Sequence, residues 1–198
     1  MTSTLLLAMA SFALVASISP GPVNSLALAS GVRHGFRRSL GFVTGATVGF
    51  TALLLLAGIG MAEIVARLPV LNMAMRLAAT AFLFYLAIRL WRAGDGMAAA
   101  TMEEPPTLWL GASLQWLNPK AWIAALAGMG AFGLQGGMTT VLVFAALYFA
   151  ICYLSIALWA YAGSQLSRAL GEAGRMVIFN RIMAALLALG AVSMLAGY

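Results

Sequence analysis

Six long apolar blocks fill most of this chain, and they restrict its fold more than any other feature of the sequence. A membrane-spanning helix needs about 20 consecutive, mostly apolar residues, because the hydrocarbon core of a bilayer is about 30 Å thick. Each block meets that length, and most of the loops between them are short. The pattern predicts an all-α integral membrane protein with six transmembrane helices in a single transmembrane domain. The blocks cover approximately residues 5–32, 40–62, 68–91, 108–134, 139–165 and 176–198.

The composition agrees with a membrane location. Of the 198 residues, 63% are hydrophobic and 8% are charged, whereas a soluble domain carries about 25% charged residues. This difference excludes a soluble enzyme, a disordered chain and a disulfide-stapled secreted domain. Cys152 is the only cysteine, and the blocks show no cluster of metal-ligating or hydrolase-type catalytic side chains. We therefore expect no enzyme activity, no bound metal and no cofactor.

The basic residues indicate the orientation of the chain. Most of them lie in the loops that follow the first, third and fifth blocks, for example Arg33, Arg37 and Arg38 after the first block. Because Lys and Arg are enriched in cytoplasmic loops, these loops are expected in the cytoplasm and both termini on the outer side. The net charge of +6 then reflects membrane topology, and we expect no nucleic-acid partner.

Two interruptions divide the chain into similar halves. Pro20 and Pro119 are 99 residues apart, and each lies within an apolar block beside polar residues. The pattern predicts a first repeat over about 1–93, a polar linker over about 94–107 and a second repeat over about 108–198. Since each repeat holds three spans, an odd number, the two repeats would be inverted relative to one another. Inverted repeats with helices broken at matching positions are typical of transporters that bind substrate near the membrane midplane.

The broken helices predict a substrate-binding site. A proline ends one helix and fits the first turn of the next, and the free N–H groups of that new turn attract carboxylates. The amide side chains of Asn24 and Asn118 can both donate and accept hydrogen bonds. The alternative is a kinked helix whose backbone is repaired locally, which is common for membrane prolines. The candidate substrate-binding residues are Ser19, Pro20, Gly21, Pro22, Asn24, Gln115, Asn118, Pro119 and Lys120.

Lys120 is the most informative single residue, because it lies about 12 residues into the fourth block and hence near the middle of the membrane. A cation at that depth costs about 2.5–3.5 kcal/mol and normally faces a partner or a polar cavity. No Asp or Glu lies at a similar depth in the sequence. Three roles stay open: pairing with a substrate carboxylate, a change in its own protonation state, or binding to backbone carbonyls at the break.

Three glycines in the second block indicate a helix contact. Gly41, Gly45 and Gly49 are four residues apart and therefore lie on one face of a helix. Small residues at this spacing allow two membrane helices to approach closely. We interpret these glycines as a helix-packing stripe and not as ligand contacts.

The two broken segments resemble those of a known family. Ser-Pro-Gly-Pro-Val-Asn at 19–24 and Leu-Asn-Pro-Lys-Ala at 117–121 are similar to two signatures of the lysine exporter (LysE/RhtB) family, and the likeness covers the whole chain. The resemblance implies a multi-pass protein of the bacterial inner membrane that exports amino acids by proton-coupled alternating access, as an antiporter. Members that export basic amino acids tend to carry an aspartate early in the second span, where this chain reads Val-Gly-Phe at 48–50. The resemblance therefore implies a neutral substrate, such as cysteine, O-acetylserine, threonine or homoserine.

The expected partners follow from this interpretation. They are a small amino-acid substrate, protons as the coupling ion and the lipid bilayer, and the pattern allows a homodimer. The alternative function is a passive pore, or another small-solute or metal transporter, on the same helical bundle.

Overall fold

The computed structural model describes residues 2–60, 104–133, 137–169 and 173–196, together with nine single positions between 77 and 92. Within these residues the regular secondary structure is helical and includes no strand, so the predicted all-α class is confirmed. Most of the third apolar block and most of the polar linker lie outside the described residues. The third span and the linker therefore stay predictions.

Seven helices and one π-helical turn make up the described elements. By length and apolar composition, α3 and α6 can each cross a membrane, and the bent pair of α1 and α2 would make a third span. The arrangement of six spans stays a prediction. In chain order the elements are α1 (Ser3–Ile18), α2 (Pro22–His34), α3 (Phe36–Gly58), α4 (Leu108–Trp116), α5 (Pro119–Gly128), the π-helical turn (Met129–Gly133), α6 (Gly137–Ala169) and α7 (Ala173–Ala196).

Two prolines mark the breaks in the helices. Pro22 is the first residue of α2 and Pro119 is the first residue of α5, a position where a proline removes no helical hydrogen bond. The axes of α1 and α2 meet at a bend of 61°. The pairing of Pro20 with Pro119 that the sequence suggested is therefore shifted by two residues. The structural counterpart of Pro119 is Pro22, because each begins the second part of a broken helix.

The two long helices hold both breaks inside the bundle. α3 lies against α4 and α5, α6 lies against α1 and α2, and α3 and α6 also contact one another. Buried apolar side chains from these helices form a common core, in which Phe42, Phe144 and Tyr148 are among the largest fully buried residues. Each long helix thus runs past the break in the broken helix of the other half.

Glycines bring α3 and α4 into backbone contact. A Cβ atom on Gly45 would overlap the backbone of Leu108, and one on Gly49 would lie 2.8 Å from the Cα of Ala112. A Cβ atom on Gly41 would meet nothing within 4 Å. The expected three-residue stripe is therefore corrected to two residues. Since α4 begins at Leu108, no part of that helix faces Gly41, one turn earlier on α3.

A second backbone contact joins α2 to α6. A Cβ atom on Gly31 would overlap the backbone of Ala160, and one on Gly163 would overlap the backbone of Leu28. Neither glycine is part of the stripe of Gly41, Gly45 and Gly49 that the sequence predicted. The two long helices are thus each fixed to one part of a broken helix by close glycine contacts.

We expect Gly45→Ala to destabilise the protein and Gly41→Ala to leave its stability nearly unchanged. The new methyl group at position 45 overlaps the backbone of Leu108, and overpacking of this kind costs about 1–3 kcal/mol. Alanine at position 41 meets open space and has the higher helix propensity. The thermal midpoint of the detergent-purified protein measures the difference, and equal midpoints for the two variants would contradict the α3–α4 contact.

Candidate functional site

The carbonyl groups at the end of α1 define the candidate site, because a helix leaves its last four C=O groups without partners inside the helix. Ser19 serves two of them: its N–H donates to the oxygen of Val15 at 3.3 Å and its hydroxyl to that of Ala16 at 3.2 Å. Asn24 lies in the first turn of α2, and its Nδ2 donates to the oxygens of Ser17 at 2.8 Å and Ser19 at 2.9 Å. The second part of the broken helix therefore caps the first.

Two side chains from distant parts of the chain complete the capping. Trp159 of α6 donates from its indole Nε1 to the oxygen of Ile18 at 3.0 Å. The Nζ of Lys120 lies 2.8 Å from the carbonyl oxygen and 2.7 Å from the hydroxyl of Ser19, and 3.3 Å from the oxygen of Pro20. A helix C-terminus carries partial negative charge, so these groups stabilise the ammonium. Residues from the second half thus close the break in the first half.

These contacts correspond to the third of the roles that the sequence left open for Lys120, since its Nζ binds backbone carbonyls, and the carbonyls belong to the opposite break. Glu104 is the one acidic residue within the described ranges, and it is exposed. The lysine is partly buried, and it is the only lysine in the chain. Its positive charge is held by backbone dipoles and a hydroxyl in the described part of the protein.

The second break is closed mainly by local bonds. The Oδ1 of Asn118 accepts from the backbone N–H of Lys120 at 3.2 Å and so caps α5. The indole Nε1 of Trp122 donates to the oxygen of Trp116, the last residue of α4, at 2.8 Å. The two asparagines thus have opposite capping roles: Asn24 donates to a helix C-terminus, and Asn118 accepts from a helix N-terminus.

A cavity of about 40 Å³ lies between the two breaks, which is room for about three water molecules. Ser19 and Pro20 contact the Lys120 side chain that forms part of the wall, whereas Pro22 and Pro119 begin the half-helices behind it. The structure brings the remaining five predicted residues together in the wall of the cavity: Gly21, Asn24, Gln115, Asn118 and Lys120.

The long helices contribute further wall residues that the sequence analysis did not select. Phe50 of α3 and Tyr148 of α6 both line the cavity, and their rings stack with centroids 4.5 Å apart. Cys152 and Ile156 follow Tyr148 at four-residue spacing and also line the cavity. This spacing places the three side chains on one face of α6. A tyrosine and a cysteine at that spacing inside an apolar block are the signal that could have identified them.

Comparison with known proteins agrees with the resemblance found in the sequence. Residues 14–197 match the LysE type translocator family. The cysteine/O-acetylserine efflux protein of Salmonella paratyphi A is 30% identical over 203 residues, which cover 97% of this chain and 98% of the relative. The protein of the same name from Escherichia coli strain K12 is 29% identical over 204 residues, with the same two coverages. No solved structure matches the chain.

Asn24→Ala should lower the thermal midpoint of the protein. Alanine leaves the oxygens of Ser17 and Ser19 without the Nδ2 donor, at a cost of about 1–3 kcal/mol for an unsatisfied buried group. Thr44→Ala is the control, because its hydroxyl bonds only to the oxygen of Leu40 in its own helix. An Asn24→Ala variant as stable as this control would contradict the capping role.

Proposed function

The chain belongs to the LysE type translocator family, and from this membership we propose that it exports small neutral amino acids or their derivatives across the bacterial inner membrane. Translocators are membrane transporters and not enzymes, in agreement with the composition. The relatives compared above are named as cysteine/O-acetylserine efflux proteins. Cysteine and O-acetylserine are therefore the first substrates to test, followed by threonine and homoserine.

The bond between Lys120 and Ser19 is the observation that carries this proposal. It joins the second broken helix to the first across 101 residues of sequence. The cavity beside this bond is lined by Gly21 and Asn24 from one half and by Gln115 and Asn118 from the other. A substrate bound there would contact both halves at once, as the alternating-access mechanism requires.

Helix packing supports an inverted repeat. α3 packs on both parts of the α4–α5 helix, and α6 packs on both parts of the α1–α2 helix. Exchanging the two halves converts one set of contacts into the other, as a pseudo-two-fold axis would. In transporters of this construction the substrate binds at the interface of the repeats, and one body rocks against the other. We extend the arrangement to six spans, with both termini on the outer side.

A zwitterionic amino acid carries groups complementary to this cavity. Its ammonium fits the oxygens of Ser19 and Pro20, which already bind the ammonium of Lys120. Its carboxylate fits the N-terminus of α5, where the partial positive charge of the helix attracts anions. The Nδ2 of Asn118 and the Lys120 amine would donate to the same carboxylate. Substrate binding would thus separate Lys120 from the first break.

Lys120 is our candidate for the carrier of the coupling proton. A lysine shielded from water changes its protonation state readily. In the proposed cycle, Lys120 releases its proton to the cytoplasm and yields the oxygens of Ser19 and Pro20 to the substrate ammonium. On the outer side, a proton returns to Lys120, which rebinds these oxygens and displaces the substrate. One proton enters for each neutral amino acid that leaves.

Lys120→Met is expected to reduce export by at least about tenfold while the protein still inserts into the membrane. The substitution removes the donor to Ser19 and Pro20, and a hydrogen bond to a charged group contributes about 1.5–3 kcal/mol. Cysteine, O-acetylserine, threonine and leucine in the medium of overexpressing cells measure export, and immunoblots of membranes measure insertion. Arg92→Ala, which removes an exposed cation, is the control. Export at the wild-type rate by the Lys120 variant would refute the site assignment.

Proton coupling predicts that inverted membrane vesicles accumulate the substrate only while their lumen is acidic. Exchange of a proton for a zwitterion makes the accumulation depend on the pH difference across the membrane. Radiolabelled substrate uptake is measured before and after addition of a protonophore, with vesicles that lack the protein as the control. Uptake to the same level after the protonophore would indicate a passive pore.

A further inference from the structure

Ser17 is a buried hydroxyl to which the proposed export cycle gives no role. Its Oγ is shielded from solvent and has no hydrogen-bond partner among the described residues, yet the residue lines the cavity. An unsatisfied buried hydroxyl is unfavourable, so its position beside a proposed substrate site calls for a partner. Thr80 is the other such hydroxyl in the described part of the chain, and it does not line the cavity.

The neighbours of Ser17 form a wall with both polar and aromatic character. The hydroxyl of Tyr148 and the thiol of Cys152 lie beside the Ser17 hydroxyl, but neither meets the distance and angle of a hydrogen bond to it. Both residues are buried in α6. Tyr148 stacks on Phe50 at 4.5 Å and meets Phe144 edge-to-face at 5.7 Å. Aromatic contacts on two sides hold the Tyr148 ring in place. The wall therefore combines a hydroxyl, a phenol and a thiol. Because the Tyr148 ring is held in place, the wall also limits the size of a bound side chain.

This wall lies close to the groups proposed to hold the substrate backbone. Cys152 and Lys120 line the same cavity as Ser17, and Asn24 bonds to the carbonyl oxygens of both Ser17 and Ser19. A substrate whose ammonium lies on the carbonyl oxygen of Ser19 would therefore lie beside this wall. With a cavity of about 40 Å³, an aromatic side chain has no room unless the wall moves.

We propose that Ser17, Tyr148 and Phe50 form a side-chain subsite that selects non-aromatic substrate side chains with a hydrogen-bonding group. The proposal rests on the export function above and assigns its specificity to these residues. A hydroxyl, a thiol or an ester carbonyl of the substrate supplies the partner that the Ser17 hydroxyl lacks. The Phe50–Tyr148 pair excludes aromatic side chains. Sites that hydrogen-bond their substrate discriminate strongly against analogues that lack the bonding group.

Ser17→Ala tests the hydrogen-bonding part of the subsite. In proteoliposomes that contain the full chain, unlabelled serine, cysteine, O-acetylserine and alanine compete with export of a labelled substrate. The variant should bind the first three about tenfold more weakly, a typical effect of one lost hydrogen bond, while alanine competes as before. Ser155→Ala is the matched control, because Ser155 is buried in α6 but does not line the cavity. An unchanged competition series, or an equal loss for alanine, would overturn the role of Ser17.

Tyr148→Leu tests the size limit. The smaller side chain should allow phenylalanine to compete and to be exported, whereas Tyr148→Phe keeps the ring and should still exclude phenylalanine. Phe50→Leu opens the same wall from α3, and it tests the size limit if the Tyr148→Leu protein is absent from the membrane. Exclusion of phenylalanine by every wall variant that inserts, or export of phenylalanine by the wild type at the rate of serine, would overturn the size limit.

The two proposals fail in different ways. If the wild-type protein transports no amino acid of the series, the proposed function is wrong. If it transports them and Ser17→Ala shows the wild-type order of substrates, the export function stands and the subsite is wrong.

Discussion

The need to satisfy backbone carbonyls inside a bilayer governs the whole site. Lipid offers no hydrogen bonds, so a helix that breaks at membrane depth must find partners within the protein. At the end of α1 those partners come from three elements: Asn24 of α2, Lys120 of α5 and Trp159 of α6. The break is therefore the point where the two halves of the chain meet. The cavity, the position of the only lysine and the packing of the long helices all follow from it.

The two breaks meet this need in different ways. The first depends on donors that lie more than 100 residues away, whereas the second is closed by Asn118 and Trp122 from its own surroundings. Since α1 has 16 residues and α4 has 9, the half-helices that precede the breaks are also unequal. The two breaks therefore differ in how they are stabilised, and among the described residues only the first is capped by side chains of the other half.

Several features of the site could be predicted from the sequence, because they are residue types that are unfavourable inside a membrane helix. A proline inside an apolar block and a lysine at membrane depth are costly, and in the structure such prolines begin α2 and α5 and Lys120 lines the cavity. The 99-residue spacing paired Pro20 with Pro119, whereas Pro22 is the proline that begins α2, since two prolines lie at one break. Gly41 was wrongly included in the packing stripe, because the residue at which α4 begins determines which glycines of α3 contact that helix. Phe50 gave no signal, since an aromatic residue is equally favourable towards lipid and towards a cavity wall, and the only signal for Tyr148 was its four-residue spacing from Cys152.

The glycine contacts determine which helices can move independently. Gly31 and Gly163 fix α2 to α6, and Gly45 fixes α3 to α4, in each case by backbone touching backbone. Helices in such contact have no side-chain layer between them to absorb sliding, so we expect each pair to shift as one piece. Each pair combines a helix from the first half of the sequence with one from the second. The glycine contacts therefore join the two halves, and the pairs are connected along the chain through the proline breaks and through Gly35, whose positive φ of 81° joins α2 to α3.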